Sequence, residues 1–385
     1  MLERRENIGT ECMKSSRRRL TLYNQRVMFT RSNDAGAACV NTAAPHRWIQ
    51  TGVPALVLAP MEGVMDAAMR ALLSELGGFT FCVAEFLRIS QAVPGPKVFH
   101  RHVPELTQGS RTAAGLPVQV QLLGGDADKL ARAALVAVQA GTDAIDLNFG
   151  CPARTVNRHD GGATLLQYPE RIREIVAAVR ATVPAHLPVS AKLRLGWDDM
   201  HAIHVNAEHA AEGGASWITI HARTKSQGYR PPAYWQPIGE VRARLGIPVV
   251  ANGEIWTIED LRRCQDETGC EHFMLGRGAL ADPTLASAAA RELGISVAKS
   301  RASLLAEDRP GAFFLSLILR FVEIGVPMGM GHGYLAARIK QWLRLINHHG
   351  QLPWFDAVKG HVDLGELLDH IRVLVAARRD RQLAS

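Results

Sequence analysis

Eight times between Ala55 and Leu275, a short apolar, β-rich run is followed by a longer stretch with helical spacing. The runs are Ala55–Ala59, Phe81–Glu85, Val118–Leu122, Ala144–Asn148, Val189–Leu193, Trp217–His221, Pro248–Asn252 and His272–Leu275. Parallel strands need crossovers of helix length, so the alternation predicts an α/β fold of βα units, and eight such units are the number that closes a (β/α)8 TIM barrel. Asp128–Gln139, Pro169–Thr182 and Ile203–Glu212 have the length of the intervening helices, while Gly77-Gly78, Gly141, Gly213-Gly214 and Gly246 fall where helices should stop. From about residue 300 the β signals vanish. Apolar residues then recur at helical spacing through Ala312–Ile324, Leu335–Ile346 and Leu364–Ala376, predicting a small C-terminal helical domain. The expected division is a disordered basic extension over 1–50, a barrel over 51–298 and a helical domain over 299–385.

Charge follows that division. Residues 1–50 hold nine Lys/Arg against four Asp/Glu, so +5 of the net +7 belongs to the extension, and a pI of 9.3 is no proof of nucleic-acid binding. From Arg301 onward eleven basic residues face eight acidic ones, a net of +3 and modest support for a polyanionic partner. A hydrophobic content of 47% with 21% charged residues suits a soluble globular chain. No apolar run reaches the roughly eighteen residues of a membrane span, since Phe313 to Leu319 is stopped by Arg320. Six cysteines, at 12, 39, 82, 151, 264 and 270, show neither CxxC nor Cys/His ligand spacing. A cytoplasmic protein with no metal and no membrane contact is expected. No apolar segment follows Arg17-Arg18-Arg19, which disfavours secretion, and Met28 is an alternative initiator.

Chemistry-bearing residues stand at or just past each run's end. In order they are Pro60-Met61-Glu62, Glu85, Gln121, Asn148 with Cys151, Lys192 with Arg194, His221, Asn252-Gly253-Glu254 and Gly276-Arg277. In a βα barrel those ends converge on one face, where active sites are built. Asn252-Gly253 and Gly276-Arg277-Gly278 follow the last two runs, where barrels bind phosphate, so a phosphate-bearing cofactor is expected. Lys192 can snorkel from the core rim, or hold an ammonium beside a ring that becomes anionic on two-electron reduction. Cys151 sits in a Gly-Cys-Pro turn. Its thiol, with an ordinary pKa near roughly 8.5, can donate a proton as well as attack. The loop from His221 to Arg230 holds three cations and Tyr229, which suits a solvated loop or phosphate contact with base stacking. Arg338, Lys340 and Arg344 form a broad basic flank on one C-terminal helix.

Together these residues resemble the tRNA-dihydrouridine synthases, a family of FMN-dependent barrels. The resemblance lies in Leu58-Ala-Pro-Met-Glu-Gly63, Thr80 to Arg88, Val120-Gln-Leu-Leu-Gly124, Asp146-Leu-Asn-Phe-Gly-Cys-Pro152, Gly161-Gly-Ala163, Lys192-Leu-Arg194, His221 through Tyr229, Ala251-Asn-Gly-Glu254 and Leu275-Gly-Arg-Gly278. Val98-Phe-His-Arg101, Pro184-Ala-His-Leu-Pro188, Ile255-Trp256 and Ala337-Arg-Ile-Lys-Gln-Trp342 resemble the bacterial C-type branch, which acts on uridine 16. The resemblance implies that Pro60, Met61, Glu62, Gln121, Lys192, His221, Asn252, Gly253, Glu254, Gly276 and Arg277 hold FMN. It implies Cys151 as the catalytic acid, with Arg88, Asn148, Arg194, Arg338 and Lys340 meeting tRNA. NADPH would reduce the flavin, hydride would pass to uracil C6 and Cys151 would protonate C5. The target base would leave its stack to enter the barrel mouth, and a monomer is the expectation. Two rivals stand beside this reading: an FMN-dependent dihydropyrimidine or dihydroorotate-type oxidoreductase acting on a free base, and a non-catalytic RNA-binding protein.

Overall fold

The computed structural model describes residues 48–158, 160–296, 310–348, 352 and 354–383, all within one compact unit, Ala43–Ser385. The expected extension, apart from its last three residues, and the linker before residue 310 lie outside the described residues.

The apolar runs become parallel strands: β1 Ala55–Leu58, β2 Phe81–Val83, β3 Leu87–Arg88, β4 Val118–Leu123, β5 Ile145–Asn148, β6 Val189–Arg194, β7 Ile218–His221, β8 Val249–Asn252 and β9 His272–Leu275. They pair in the order β2-β1-β9-β8-β7-β6-β5-β4-β3, and β2 also pairs with β4, which closes the barrel. The expected strand Phe81–Glu85 is interrupted and resumes as β3, where Leu87 pairs with Leu122, so β2 and β3 together form one stave. Glu85 explains the break. Its carboxylate accepts the Val64 N–H at 3.1 Å and its carbonyl accepts His102 Nε2 at 2.8 Å, which takes it out of the ladder.

Because side chains alternate along a strand, each stave has two fates. Outward residues such as Leu56, Leu58, Leu122, Leu147, Leu193, Ile220 and Phe273 pack beneath the helices in the main core. Inward residues Val57, Phe81, Val83, Val250 and Met274 form a second cluster with Trp48, Ile49 and Trp217. Phe81 lies 5.1 Å from the Trp48 ring and 5.9 Å from that of Trp217. Trp48 and Ile49, 4% and 3% exposed, therefore belong to the barrel floor, so the expected boundary at residue 50 falls too late.

Helices α1 Ala67–Leu76, α2 Pro96–His102, α3 Ala127–Gln139, α4 Arg154–Asn157, α5 Pro169–Thr182, α6 Ala202–Glu212, α7 Gln236–Arg244, α8 Ile258–Thr268, α9 Arg277–Ala281 and α10 Leu285–Glu292 complete the βα units. Side-chain caps set several starts: Asp66 accepts the Met69 N–H, Asp126 that of Lys129, and Thr257 forms a capping box with Asp260.

The C-terminal helices are α11 Pro310–Gly325, α12 His332–His348, α13 Phe355–Val358 and α14 Leu364–Leu383. They pack on the barrel through apolar and polar contacts together. Arg320 of α11 grips Glu75 of α1 with bonds of 2.9 and 2.7 Å. Trp342 of α12 donates its indole N–H to Leu280 O at 2.8 Å and meets Phe321 edge-on at 6.3 Å.

Candidate active site

Strand register brings the polar strand ends to one level. Asn148 pairs with Lys192, Arg194 with His221, and His221 with Asn252. Above the apolar floor they open into a cavity of about 590 Å3. Its lining includes every residue expected to hold the cofactor, from Pro60, Met61 and Glu62 through Gln121, Lys192, His221, Asn252, Gly253 and Glu254 to Gly276 and Arg277, together with Asn148, Cys151 and Arg194.

Lys192 donates to Asn252 Oδ1 at 3.0 Å. Asn252 Nδ2 donates to Met274 O at 2.8 Å, which leaves its oxygen facing the ammonium. Burial pulls the Lys192 ammonium below its ordinary value, against the attraction of the Asp146 carboxylate. His221 is pushed well below the usual histidine range, by burial first and then by Arg194, Lys192, Arg223 and Arg277, so its imidazole is neutral. Its buried Nδ1 has no hydrogen-bond partner. Such an atom is costly unless a ligand or water meets it.

Beside His221, Glu254 Oε1 takes Arg223 at 2.9 Å and Arg277 at 2.8 Å. The Arg277 guanidinium lies 5.2 Å from the Tyr229 ring centre and 5.0 Å from that of Trp256, a cation between two aromatic faces.

The turn that carries Cys151 is held from two sides. Asn148 Oδ1 accepts the N–H groups of Gly150 and Cys151, each at 2.9 Å, while Arg194 donates Nε to Gly150 O at 2.8 Å and Nη1 to Thr224 O and Gly228 O at 3.0 and 2.8 Å. Both side chains are thus largely engaged in building the turn. Burial raises the Cys151 thiol above its ordinary value, with Glu62 adding to the effect and the Ala153 backbone bond, Arg194 and Arg88 opposing it. At neutral pH the group is a thiol, able to give up a proton.

The remaining expected residues lie elsewhere. Arg88 does not line the cavity and bonds Thr155 O at 3.3 Å. Arg338 is 4% exposed. It pairs with Asp66 at 2.9 Å and also bonds Val64 O and Gln341, so its guanidinium faces the barrel rather than solvent. Lys340 lines a second cavity of about 960 Å3 with Arg344 and Lys359, and bonds His361 O. Met61, Val64 and Arg277 line both cavities, so the two adjoin. Among the described residues no group of three or more His, Cys, Asp or Glu could hold a metal, and no helix is long and apolar enough to cross a membrane.

Sequence reasoning left Asp146, Ser190, Trp256 and Trp235 without roles. Asp146 sits two residues before Asn148, hence on the same inward face, and that spacing was the available signal. Trp235 bonds Gly253 O at 2.9 Å through its indole, a long-range interaction that no local pattern announces.

Residues 57–310 match the family model described as dihydrouridine synthase (Dus). The tRNA-dihydrouridine(16) synthase of Aquipseudomonas alcaligenes is 44% identical over 291 residues, covering 76% of this chain and 90% of that protein. The tRNA-dihydrouridine(16) synthase of Shewanella oneidensis is 43% identical over 324 residues, covering 84% and 98%. With a matching domain model over most of its length and relatives of this closeness, the chain belongs to the dihydrouridine synthase family.

Proposed function

We propose that this protein reduces uridine 16 of tRNA to 5,6-dihydrouridine, with FMN as cofactor and NADPH as reductant. The named activity of the relatives supports the substrate and its position. The cavity's residues suit FMN. The unpaired His221 Nδ1 offers a polar partner, and the backbone is bare at Gly253, where φ is +116°. Lys192, His221, Asn252, Gly276 and Arg277 would hold the group. The chemistry that FMN supplies when bound is two-electron transfer, from NADPH to C6 of the uracil ring.

The chain's own groups do the rest. Lys192, fixed by Asn252, places positive charge where negative charge develops. Cys151 delivers the thiol proton to C5, and the Asn148 and Arg194 bonds hold its turn. A stacked base cannot reach this cavity, so the nucleotide must leave its helix, and the adjoining groove with Lys340, Arg344 and Lys359 supplies phosphate contacts while it does.

The observation that most supports this reading is a thiol, held protonated by burial, on the same cavity as Lys192 and Asn252. Cys151→Ala should keep the yellow chromophore and lose about 10²–10⁴-fold in dihydrouridine formation on tRNA. Undiminished turnover would refute the acid. A colourless wild type, inert towards tRNA, would refute the whole reading. Free uracil reduced as fast as tRNA would instead favour the free-base enzyme.

A further inference from the structure

Inside the barrel, one set of hydrogen bonds runs toward a single carboxylate. On one side Gln119 Nε2 donates to Ser190 Oγ at 2.9 Å, and Ser190 Oγ donates to Asp146 Oδ1 at 2.5 Å. On the other side the N–H groups of Gly150 and Cys151 donate to Asn148 Oδ1, each at 2.9 Å. Asn148 Nδ2 then donates to Gln121 Oε1 at 2.8 Å, and Gln121 Nε2 to Asp146 Oδ2 at 2.6 Å.

The ends of the second chain leave its amides no choice. Backbone N–H groups only donate and an ionised carboxylate only accepts, so one orientation of Gln121 and one of Asn148 satisfies every group. Turning Gln121 over would set its oxygen against the carboxylate and its NH2 against the Asn148 NH2. Asp146 is 2% exposed, so no bulk water can take over as acceptor. Burial raises its carboxyl, and the Ser190 and Gln121 hydrogen bonds and the Lys192 ammonium oppose that rise; at about 6, the group is ionised at neutral pH.

We propose that Asp146 is a positioning residue for Cys151: its carboxylate is the terminal acceptor that locks the Gln121 and Asn148 amides and, through them, the turn that carries the thiol. The proposal rests on the reading of Cys151 as proton donor. It assigns Asp146 no contact with substrate or cofactor. What Asp146 contributes is an acceptor at a fixed point, and an amide oxygen there serves nearly as well as a carboxylate, because the spare NH2 can donate to Ser190 Oγ.

The two half-reactions separate this role from a general loss of structure. Flavin reduction by NADPH does not use the thiol, whereas oxidation of the reduced flavin by tRNA does. Removing the Asp146 carboxylate also weakens the Lys192 ammonium, so the readout is the tRNA half-reaction relative to flavin reduction, and in Asp146→Val that ratio should fall by about 10²-fold, the scale of a ~1 Å misplacement. Asp146→Asn, which loses the same charge, should keep that ratio within about threefold of wild type, since it keeps an acceptor for Gln121.

Gln121→Glu is isosteric and carries the test alone if Asp146→Val does not fold. It sets two carboxyls together, which must share a proton to bond, so its tRNA half-reaction should recover relative to its own flavin reduction as pH falls, while that of the wild type does not change in this way. A ratio for Asp146→Asn as low as that of Asp146→Val would show that charge matters and not the acceptor. That outcome, a wild-type ratio for Asp146→Val, or no acid recovery in Gln121→Glu overturns the Asp146 assignment alone. A wild type that forms no dihydrouridine overturns the reading of the site itself.

Discussion

Replacing Asp66 by alanine should undock the C-terminal helices while the barrel stays closed, and the size of the effect follows from what this carboxylate holds. Oδ1 caps α1 through the Met69 N–H at 2.9 Å, and Oδ2 accepts Arg338 Nε at 2.9 Å and the Tyr334 hydroxyl at 3.3 Å. Loss of the cap costs about 1 kcal/mol. Arg338, with 5% of its side chain exposed, would be left as a buried cation without its counterion, which costs roughly 3–5 kcal/mol. Asp66 is 15% exposed, so water reaches the pair and the lower figure applies. The α1 cap is lost whether the helices are docked or not, so the opening equilibrium shifts by the stranded cation alone, about 3 kcal/mol, or about 10²-fold. Asp66→Asn has a single oxygen for the two sites: with it kept on the Met69 N–H, its NH2 faces Arg338 Nε, donor against donor, so the cap survives while the stranded cation still costs about 3 kcal/mol. Arg338→Leu strands nothing, because Asp66 retains its cap, Tyr334 and some solvent, and should cost about 1–2 kcal/mol. Amide hydrogen exchange over residues 332–348, with β6 as internal reference, reads all three. Equal loss of protection in Arg338→Leu and Asp66→Ala, or in β6 and the helix, would refute a stranded Arg338 cation as the cause of undocking.

Three other outcomes are expected. As the proposed general acid, Cys151 works only while protonated, and burial raises its thiol, so the tRNA half-reaction should hold its rate past the ordinary thiol range and fall only at higher pH; a decline beginning below that range would contradict the proposed role. Gly278→Ala should disrupt the cavity wall, because a Cβ there would stand 2.3 Å from Ile255 O, whereas Gly276→Ala, whose nearest neighbour would be Met61 Sδ at 3.5 Å, should leave the fold intact; thermal melts of the two variants check the order. Lys340→Ala with Arg344→Ala should weaken tRNA binding without altering the flavin spectrum, and should reduce the slope of log affinity against log salt by about 0.7–0.9 for each phosphate no longer neutralised, so an unchanged slope would remove the groove from the RNA path.

Much of the barrel was legible because period-2 burial and helical spacing are local properties. The helix expected over Pro169–Thr182 forms over those residues, and the expected strand ends agree with β1 and β4 to β9 within a residue. The polar residues at those ends share one cavity because parallel register and barrel closure leave them no other place. What escaped depends on partners distant in the chain. Arg338 looked like part of a basic flank, yet it lies three residues after Leu335 and four before Trp342, on the helix's apolar face, and its counterion is 272 positions away. An arginine on an apolar stripe signals a buried partner, but nothing local says which. Asn148 shows a different limit. Residue type cannot tell an amide that meets a ligand from one that holds a turn, and here its oxygen is occupied by the N–H groups of Gly150 and Cys151.

The barrel's floor bears on the chemistry at its mouth. An interior lined by polar groups from end to end would admit water from both sides, and every electrostatic interaction in it would weaken accordingly. Here the lower interior is closed by Trp48, Phe81 and Trp217, and the polar layer of Gln121, Asp146, Lys192 and Asn252 lies above that plug. The cavity is thereby solvated from one face alone, and a large substrate bound across that face would leave Lys192 and the Cys151 thiol in a medium where fixed charges act strongly. Trp48 precedes the first strand and lies on no periodic element, so removing it should leave the fold's connectivity intact yet open the floor. In Trp48→Ala the drop in stability, about 3–5 kcal/mol for a buried aromatic, should come with a Lys192 ammonium titrating closer to its ordinary value, because water then reaches it from below. A Trp48→Ala protein that loses stability but leaves the Lys192 titration where it was would show that the floor supports the fold without insulating the site.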